Sequence, residues 1–264
     1  DTLERKGEEI TELHRALRRR HEEQLADIRL AARIHRTLIA GSTASLPGYR
    51  VASRFRPSRH LGGDYLDLVR VAEDRYALVV ADVSGSGVTA CLLAAFAREA
   101  FRQAVFAGRP SAEAAMREAA AAIAPLLPEQ LFLTAALAFI APREQRIDLC
   151  VAGHPAPIRF RAGFAEEVPV SGDAIGIGGG LRFGSTTITL AAGERLFFYT
   201  DGIVEIMTPD QIPFGHKRLF DLLINRGGHE IHSIADLILR AGEIYAGASE
   251  ALDDRAMMIL ERID

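Results

Sequence analysis

Closely spaced strand-like segments limit the folds that this chain can adopt. Segments 65–71 and 75–81 are separated only by a tight turn at Glu73 and Asp74, which predicts an antiparallel hairpin. Helical patterns come in two consecutive couples, at 88–106 and 112–125 and at 217–225 and 233–245. Strands joined in pairs, with helices in couples, favour antiparallel sheets covered by helices over a parallel βαβ arrangement. The sequence therefore predicts an α+β fold.

The first 40 residues differ from the rest, because they are rich in charge and in helix formers and lack proline. From Ile10 to Ala32 the apolar or semi-apolar positions follow steps of 3, 4, 4, 4, 3 and 4 residues, a heptad seam with one stutter. The seam predicts a dimerising linker helix over 1–40, before a globular domain over 48–264. With fewer than four clean heptads, an ordinary amphipathic surface helix is the alternative.

Carboxylates stand at the margins of several predicted strands. They are Asp64 before 65–71, Asp82 after 77–81, Asp201 after 196–200, and Asp253 with Asp254 before the last strand. If several meet in the fold, their repulsion raises their pKa values unless a cation neutralises them. Oxygen ligands favour Mg²⁺ or Mn²⁺, and no Cys/His ligand spacing suited to zinc competes. Each aspartate alone is better explained as a turn or cap residue; together they predict a divalent-cation site.

Bulk properties exclude several classes of protein. A formal net charge of −4 and a pI of about 6.1 argue against a general nucleic-acid or anionic-membrane binder. The longest apolar run, 131–141, is too short to span a bilayer, and no signal peptide is visible. Cys91 and Cys150 stand beside apolar residues and indicate core thiols in a reducing, cytoplasmic setting.

One glycine-rich loop offers a competing interpretation. The segment 82–87 follows a strand and opens a helix, where phosphate-binding loops occur. It lacks the lysine and the spacing of the nucleoside-triphosphatase loop, so that interpretation is weak. The glycines at 176–180 also fail the dinucleotide-binding spacing, and we expect a flexible flap there.

Five motifs occur in an order that is familiar from one protein family. They are GGDYLD at 62–67, ADVSGSG at 81–87, AGHPAP at 152–157, YTDG at 199–202 and DD at 253–254. On these motifs the chain resembles the SpoIIE/RsbU branch of the PPM-type protein phosphatases over about residues 48–264. The preceding helix, with RIHRTL at 33–38, is similar to the linker that precedes the domain in that branch.

The resemblance implies an αββα four-layer sandwich with two Mn²⁺ or Mg²⁺ ions at one end. The implied metal ligands and catalytic residues are Asp64, Asp82, Asp201 and Asp253, with the carbonyl of Val83 as a further ligand. Asp82 is the implied bridging ligand, and Asp254 is the less favoured member of its pair. The implied reaction is attack by a metal-activated water on a phosphoserine or phosphothreonine.

The resemblance also implies partners. The substrate would be a regulatory phosphoprotein, a STAS-domain anti-sigma factor antagonist by analogy. An upstream sensor or receiver domain and homodimerisation through the first helix are expected; nucleic acid and membrane are not. Two alternatives stay open: a catalytically degenerate module that binds a partner, and a dimetal hydrolase for phosphodiesters or nucleotides.

The chain departs from the family pattern at some positions. Ser86 stands where DVSGHG has its histidine, and Ala256 replaces the usual threonine of the last motif. The general acid is unassigned; His60 and His154 are candidates, although each is also explained as a structural histidine. Arg59 could bind the substrate phosphate, or it could be a solvated loop arginine.

Overall fold

A computed structural model describes residues 2–58, 61–178, 181–249, 251 and 253–263 of the chain. It begins with a long helix, α1 (Thr2–Ile39), that leads directly into a short strand, β1 (Ala40–Thr43). The rest of the described chain forms two β-sheets that pack face to face, with a pair of helices on the outer face of each.

The first sheet has six strands in the order β1-β3-β4-β5-β6-β9. Its other members are β3 (Tyr65–Ala72), β4 (Arg75–Val83), β5 (Leu133–Ala141), β6 (Arg146–Ala152) and β9 (Gly184–Ile188). All pairs are antiparallel except β1 with β3. The predicted hairpin is confirmed as β3–β4.

The second sheet has five antiparallel strands in the order β2-β11-β10-β7-β8. Its members are β2 (Tyr49–Arg56), β7 (Ile158–Arg161), β8 (Phe164–Glu167), β10 (Arg195–Tyr199) and β11 (Arg255–Arg262). Strand β10 is buried along its whole length, as the apolar run 196–200 predicts for a central strand.

The four helices of the domain cover the outer faces of the sandwich. Helices α2 (Val88–Phe106) and α3 (Ala112–Ile123) lie on the first sheet, and α4 (Gly215–Arg226) and α5 (Ile231–Ala246) lie on the second. Strand β4 shows why all layers are needed. Ala77 and Val79 pack under the helices, whereas Leu78 and Val80 pack between the sheets, so both faces of the strand are buried. The αββα sandwich is confirmed.

The structure corrects the prediction at several element boundaries. Helix α5 begins at Ile231, two residues before the predicted start, and its N-cap is Glu230, whose carboxylate accepts a hydrogen bond from the Ser233 N–H. The spacing of Ser233 and Asp236 in the sequence resembles a capping box, but Ser233 is not the cap. Strands β1 and β8 are short, four residues each, and were not predicted. Ser111, whose place before the helical pattern 112–125 predicts an N-cap, is the cap of α3 and accepts a hydrogen bond from the Ala114 N–H.

Helix α1 contacts the domain through its C-terminal half. Ala32 is buried with Leu61 and Cys91, and Ile28 packs against this small cluster. Further toward the N-terminus, Leu13 and Leu17 of the heptad seam are exposed. The side chains of the other seam residues Ile10 and Leu25 lie outside what the structure describes, and dimerisation through the seam stays a prediction. No helix in the described ranges is long and apolar enough to cross a membrane.

Candidate metal centre

Each sheet brings carboxylates to the same end of the sandwich. In the first sheet Asp64 immediately precedes β3, and Asp82 is the next-to-last residue of β4. Because the strands are antiparallel, with Tyr65 paired to Ala81, these two positions are neighbours. In the second sheet Asp201 follows β10 and Asp253 precedes β11, where Tyr199 pairs with Met257. The predicted ligands thus form two pairs, one from each sheet.

A hydrogen bond between the sheets shows that the two pairs face each other. The hydroxyl of Thr200, in the second sheet, donates to Asp64 Oδ2 in the first at 2.7 Å. Both residues are almost fully buried. The same hydroxyl oxygen accepts a bond from the Ala256 N–H at 3.0 Å. Thr200 therefore links the end of β10, the start of β11 and the carboxylate of Asp64.

Two glycines allow the backbone to approach closely at this end. A side-chain carbon on Gly63 would lie 2.5 Å from the carbonyl oxygen of Val83, the predicted backbone ligand. A side-chain carbon on Gly202 would overlap the carbonyl of Asp254. Glycine has no Cβ, so only glycine fits at either position without displacing the loops that carry the carboxylates. This is the physical reason for glycine beside aspartate in the motifs GGD and DG.

The carboxyl groups interact strongly with one another. Burial raises the pKa of Asp82 to about 7, and the charges of Asp201 and Asp253 add to the effect. Burial also raises the pKa of Asp64 well above its ordinary value, with further contributions from Asp82 and from Asp254. The pKa of Asp253 rises to about 6 and that of Asp201 rises as well, in both cases chiefly through burial. The fold thus holds several acidic groups in a site that disfavours their charge.

The donor set fits a hard divalent cation. It consists of oxygens only, and Asp201 Oδ1 and Asp254 Oδ2 are buried without a hydrogen-bond partner in the described part of the chain. Buried carboxylate oxygens without a partner are costly, and a cation would compensate them. However, within the described ranges no three acidic, His or Cys side chains are gathered tightly enough to enclose an ion. The carboxylates share a region, and their role as ligands stays a prediction.

Asp253 and Asp254 occupy different environments. Asp254 is 2% exposed, and its Oδ1 accepts bonds from the Ser58 N–H at 2.8 Å and the Ser58 hydroxyl at 3.1 Å. Asp253 is less buried and accepts a bond from the Asp254 N–H. It also lines a cavity of about 300 Å³ together with Gly202 and Arg255. Asp253 therefore borders a cavity, whereas Asp254 is enclosed.

Of the candidate proton donors and the candidate phosphate ligand, only His154 lies in the described part of the chain. His154 is buried, and burial lowers its pKa to about 3, so its ring is neutral near pH 7. A neutral buried imidazole is a poor general acid, and His154 is not suited to that role. Arg59 and His60 lie outside the described residues, and their predicted roles stay predictions.

Two residues that contact the carboxylates were not predicted from the sequence. Thr200 directly precedes Asp201 in the YTDG motif, and this position could have identified it as a neighbour of the carboxylates. Ser58 is 196 residues away from Asp254, the residue that it binds. No local sequence pattern predicts such a contact, because the contact depends on the pairing of β2 with β11.

Comparison with known proteins shows the family of the chain. The model of the family Stage II sporulation protein E (SpoIIE) matches residues 72–263. The phosphoserine phosphatase RsbP of Bacillus subtilis (strain 168) is 24% identical over 217 residues, which are 80% of this chain and 52% of RsbP. The chain thus spans about half the length of that relative.

Solved structures share the fold. The SiaA-PP2C domain of Pseudomonas aeruginosa matches with a TM-score of 0.80 and 23% identity, over 92% of this chain and 99% of that domain. The catalytic domain of the serine/threonine protein phosphatase PstP, solved with two manganese ions, matches with a TM-score of 0.60 and 16% identity, over 82% of this chain and 99% of that domain. At these identities the likeness establishes a common fold.

Proposed function

Because this chain belongs to the SpoIIE family, we propose that it is a metal-dependent protein phosphatase that hydrolyses phosphoserine or phosphothreonine. One observation carries the proposal: two sheets bring Asp64 and Asp82, and Asp201 and Asp253, to the same end of the sandwich. Sequence-distant carboxylates that interact electrostatically in one region are the expected framework of a two-cation site.

The residues that would hold two Mn²⁺ or Mg²⁺ ions are the four aspartates and the carbonyl of Val83. When bound, such ions bind the phosphoryl oxygens and activate a water for attack. The charges of Asp201, Asp253 and Asp254 all raise the pKa of Asp82. This central place among the carboxylates supports the role of Asp82 as a bridging ligand. Thr200 fixes the orientation of the Asp64 carboxylate through its hydroxyl.

A regulatory phosphoprotein is the proposed substrate, with a phosphorylated STAS-domain anti-sigma factor antagonist as the specific candidate. Support comes from the family resemblance and from the relative named phosphoserine phosphatase RsbP. The cavity beside Asp253 is open at the surface and offers room for the residues around a phosphorylated side chain.

Control through α1 is part of the proposal. Ala32 of this helix packs on Leu61, which lies in the loop before Asp64, and on Cys91, in the first turns of α2. Helix α2 begins shortly after Asp82. An upstream sensor or receiver domain, acting through a dimeric α1, would thus contact both segments that carry first-sheet ligands. Removing residues 1–40 should change turnover and oligomeric state; unchanged turnover, with a monomer in both forms, contradicts this part.

Hydrolysis of an aryl phosphate with and without Mn²⁺ tests the activity. We expect Mn²⁺-dependent turnover that is lost in Asp201→Asn. A folded protein that binds a partner but shows no turnover with any divalent cation is instead the degenerate module. Parallel assays with a phosphoprotein and a nucleotide distinguish the phosphatase from a phosphodiesterase or nucleotidase.

A further inference from the structure

The cavity beside Asp253 adjoins the candidate metal centre on its second-sheet side. One wall is the segment 205–207, which follows β10, and the other is the last turn of α5, with Glu243 and Ala246. Arg255, the first residue of β11, also lines the cavity. A volume of about 300 Å³ is at the lower limit of ligand pockets in proteins, so the cavity has room for one side chain rather than for a whole segment.

Direct contacts hold the two walls of this cavity together. A side-chain carbon on Gly242 would overlap Ile206 Cδ1, so this glycine lets Ile206 pack directly on the backbone of α5. The Tyr245 hydroxyl donates to the carbonyl of Pro213 at 3.1 Å, and the Phe214 N–H donates to the carbonyl of Ile206 at 2.7 Å. The rings of Phe214 and Tyr245 also meet edge to face, with their centroids 5.4 Å apart. The segment 205–214 is therefore fastened to α5, and the cavity between them is part of the fold.

Carboxylates outnumber basic groups among the side chains that line this cavity. Glu205, Glu243 and Asp253 are acidic, and Arg255 is the one basic residue of the lining in the described chain. Glu243 attracts the guanidinium of Arg255, which offsets one acidic charge; Arg56 of β2 also acts on Arg255 but does not line the cavity. Within the described ranges no basic side chain lies at ion-pair distance from either glutamate. The cavity therefore favours a positively charged ligand.

We infer that this cavity is a specificity pocket that takes a lysine or arginine side chain of the phosphoprotein substrate, near the phosphorylated residue, and that Glu205 and Glu243 select it. The inference rests on the proposed phosphatase function. A long basic side chain matches the lining in two ways: its aliphatic part would pack on Ile206 and Met207, and its charged end would face the glutamates. Burial and the charge of Asp201 raise the pKa of Glu205, so a positive charge beside Glu205 would also relieve repulsion.

The experiment measures kcat/KM of the Mn²⁺-loaded chain for phosphoserine peptides that differ in one residue, Lys, Gln or Glu, placed in turn at each position near the phosphoserine. We expect Lys at one of these positions to raise kcat/KM about tenfold over Gln, and Glu to lower it, because each exposed charge pair contributes up to about fivefold. Glu205→Gln and Glu243→Gln should each reduce the ratio of Lys to Gln about two- to fivefold. Glu243→Lys should reverse the preference between the Lys and Glu peptides. Each ratio compares two peptides on one variant, so a change in cation binding affects both peptides alike and cancels.

Glu144→Gln is the matched control. Glu144 is exposed in the turn between β5 and β6, at the opposite end of the first sheet, so this variant should retain the wild-type preference for Lys. Wild-type turnover of aryl phosphate with equal rates for the three peptides, or with no turnover of any of them, overturns the inference and leaves the metal-dependent hydrolysis intact. A preference for Lys that survives both Glu→Gln changes also overturns it; should Glu205→Gln be inactive, Glu243→Gln alone decides. A wild-type protein that hydrolyses neither aryl phosphate nor phosphopeptide with Mn²⁺ overturns the proposed function itself, and the inference with it.

Discussion

Strands β10 and β11 carry buried charged side chains at both of their ends, but the partners of these side chains differ between the two ends. At one end Arg195 pairs in register with Glu261; the guanidinium lies 2.7 Å from the carboxylate and also donates to the carbonyls of His229 and Gly227. At the other end Asp201 and Asp253 meet further acidic groups from the first sheet. At the Arg195 end, where the charges serve the structure, the chain itself supplies both the basic and the acidic group. At the carboxylate end none of the aspartates forms an ion pair with a basic side chain of the described residues, which is the arrangement expected where a cation from solution binds.

The strongest test of this comparison is neutralisation of one carboxylate. Asp82→Asn should lower metal-dependent aryl phosphate hydrolysis by about 10³-fold or more, because it removes the proposed bridging ligand. The metal-free variant should be at least as stable as the wild type, since a repelled, buried charge is gone. Turnover with and without Mn²⁺ and urea unfolding check the two statements. Retention of more than a tenth of the activity would contradict the bridging role of Asp82.

The matched change at the other end is Glu261→Gln. It leaves Arg195 buried without a counter-charge, and we expect the free energy of unfolding to fall by about 3–5 kcal/mol. Activity per folded molecule should stay near that of the wild type, because Glu261 lies at the opposite end of β11 from Asp253. Urea unfolding and turnover of the remaining folded protein measure both. A loss of activity without a loss of stability would show that the two ends are not functionally separate.

The two ends also predict a pH dependence for the metal-free protein. Folding raises the pKa of Asp82 to about 7 and that of Asp253 to about 6. Groups with a raised folded pKa favour folding at low pH, and this contribution is lost as the pH rises from about 4 to about 7, by about 2–4 kcal/mol for Asp82. Neutral His154 acts in the opposite direction, since folding lowers its pKa. The difference in unfolding free energy between wild type and Asp82→Asn across this range isolates the carboxylate effect. Saturating Mn²⁺ should reverse its sign, because cations bind the deprotonated groups; a difference independent of pH would contradict it.

A smaller effect is expected from the hydroxyl that joins the sheets. Thr200→Val keeps the shape but removes the bond to Asp64 Oδ2, and we expect Mn²⁺ affinity to fall about tenfold. Thr187→Val, at an exposed position of β9, is the matched control and should retain the wild-type affinity. Calorimetric titration of both variants makes the comparison. Equal affinities in the two would show that Asp64 does not need this orientation.

Most of the fold could be predicted because the core is periodic. The helix 88–106 is confirmed at both ends as α2, and the strands predicted to begin at Tyr65 and Arg75 are confirmed at those residues. The short strands β1 and β8 were not predicted, because their sequences, AGST and FAEE, do not alternate apolar and polar residues. The start of α5 was missed for another reason: Glu230 is not a common cap, and only the bond to the Ser233 N–H identifies it.

The candidate site, like the fold, could be predicted from the sequence only in part. The sequence by itself determined that aspartates lie at strand ends beside glycines, because strand burial and close backbone approach leave local patterns in residue type. Only the tertiary structure decided that these aspartates come from two sheets, that Thr200 and Ser58 bind them, and that His154 is buried beside Thr134. Distances and protonation across the sandwich depend on how two separately encoded sheets pack together, and no local pattern records that packing.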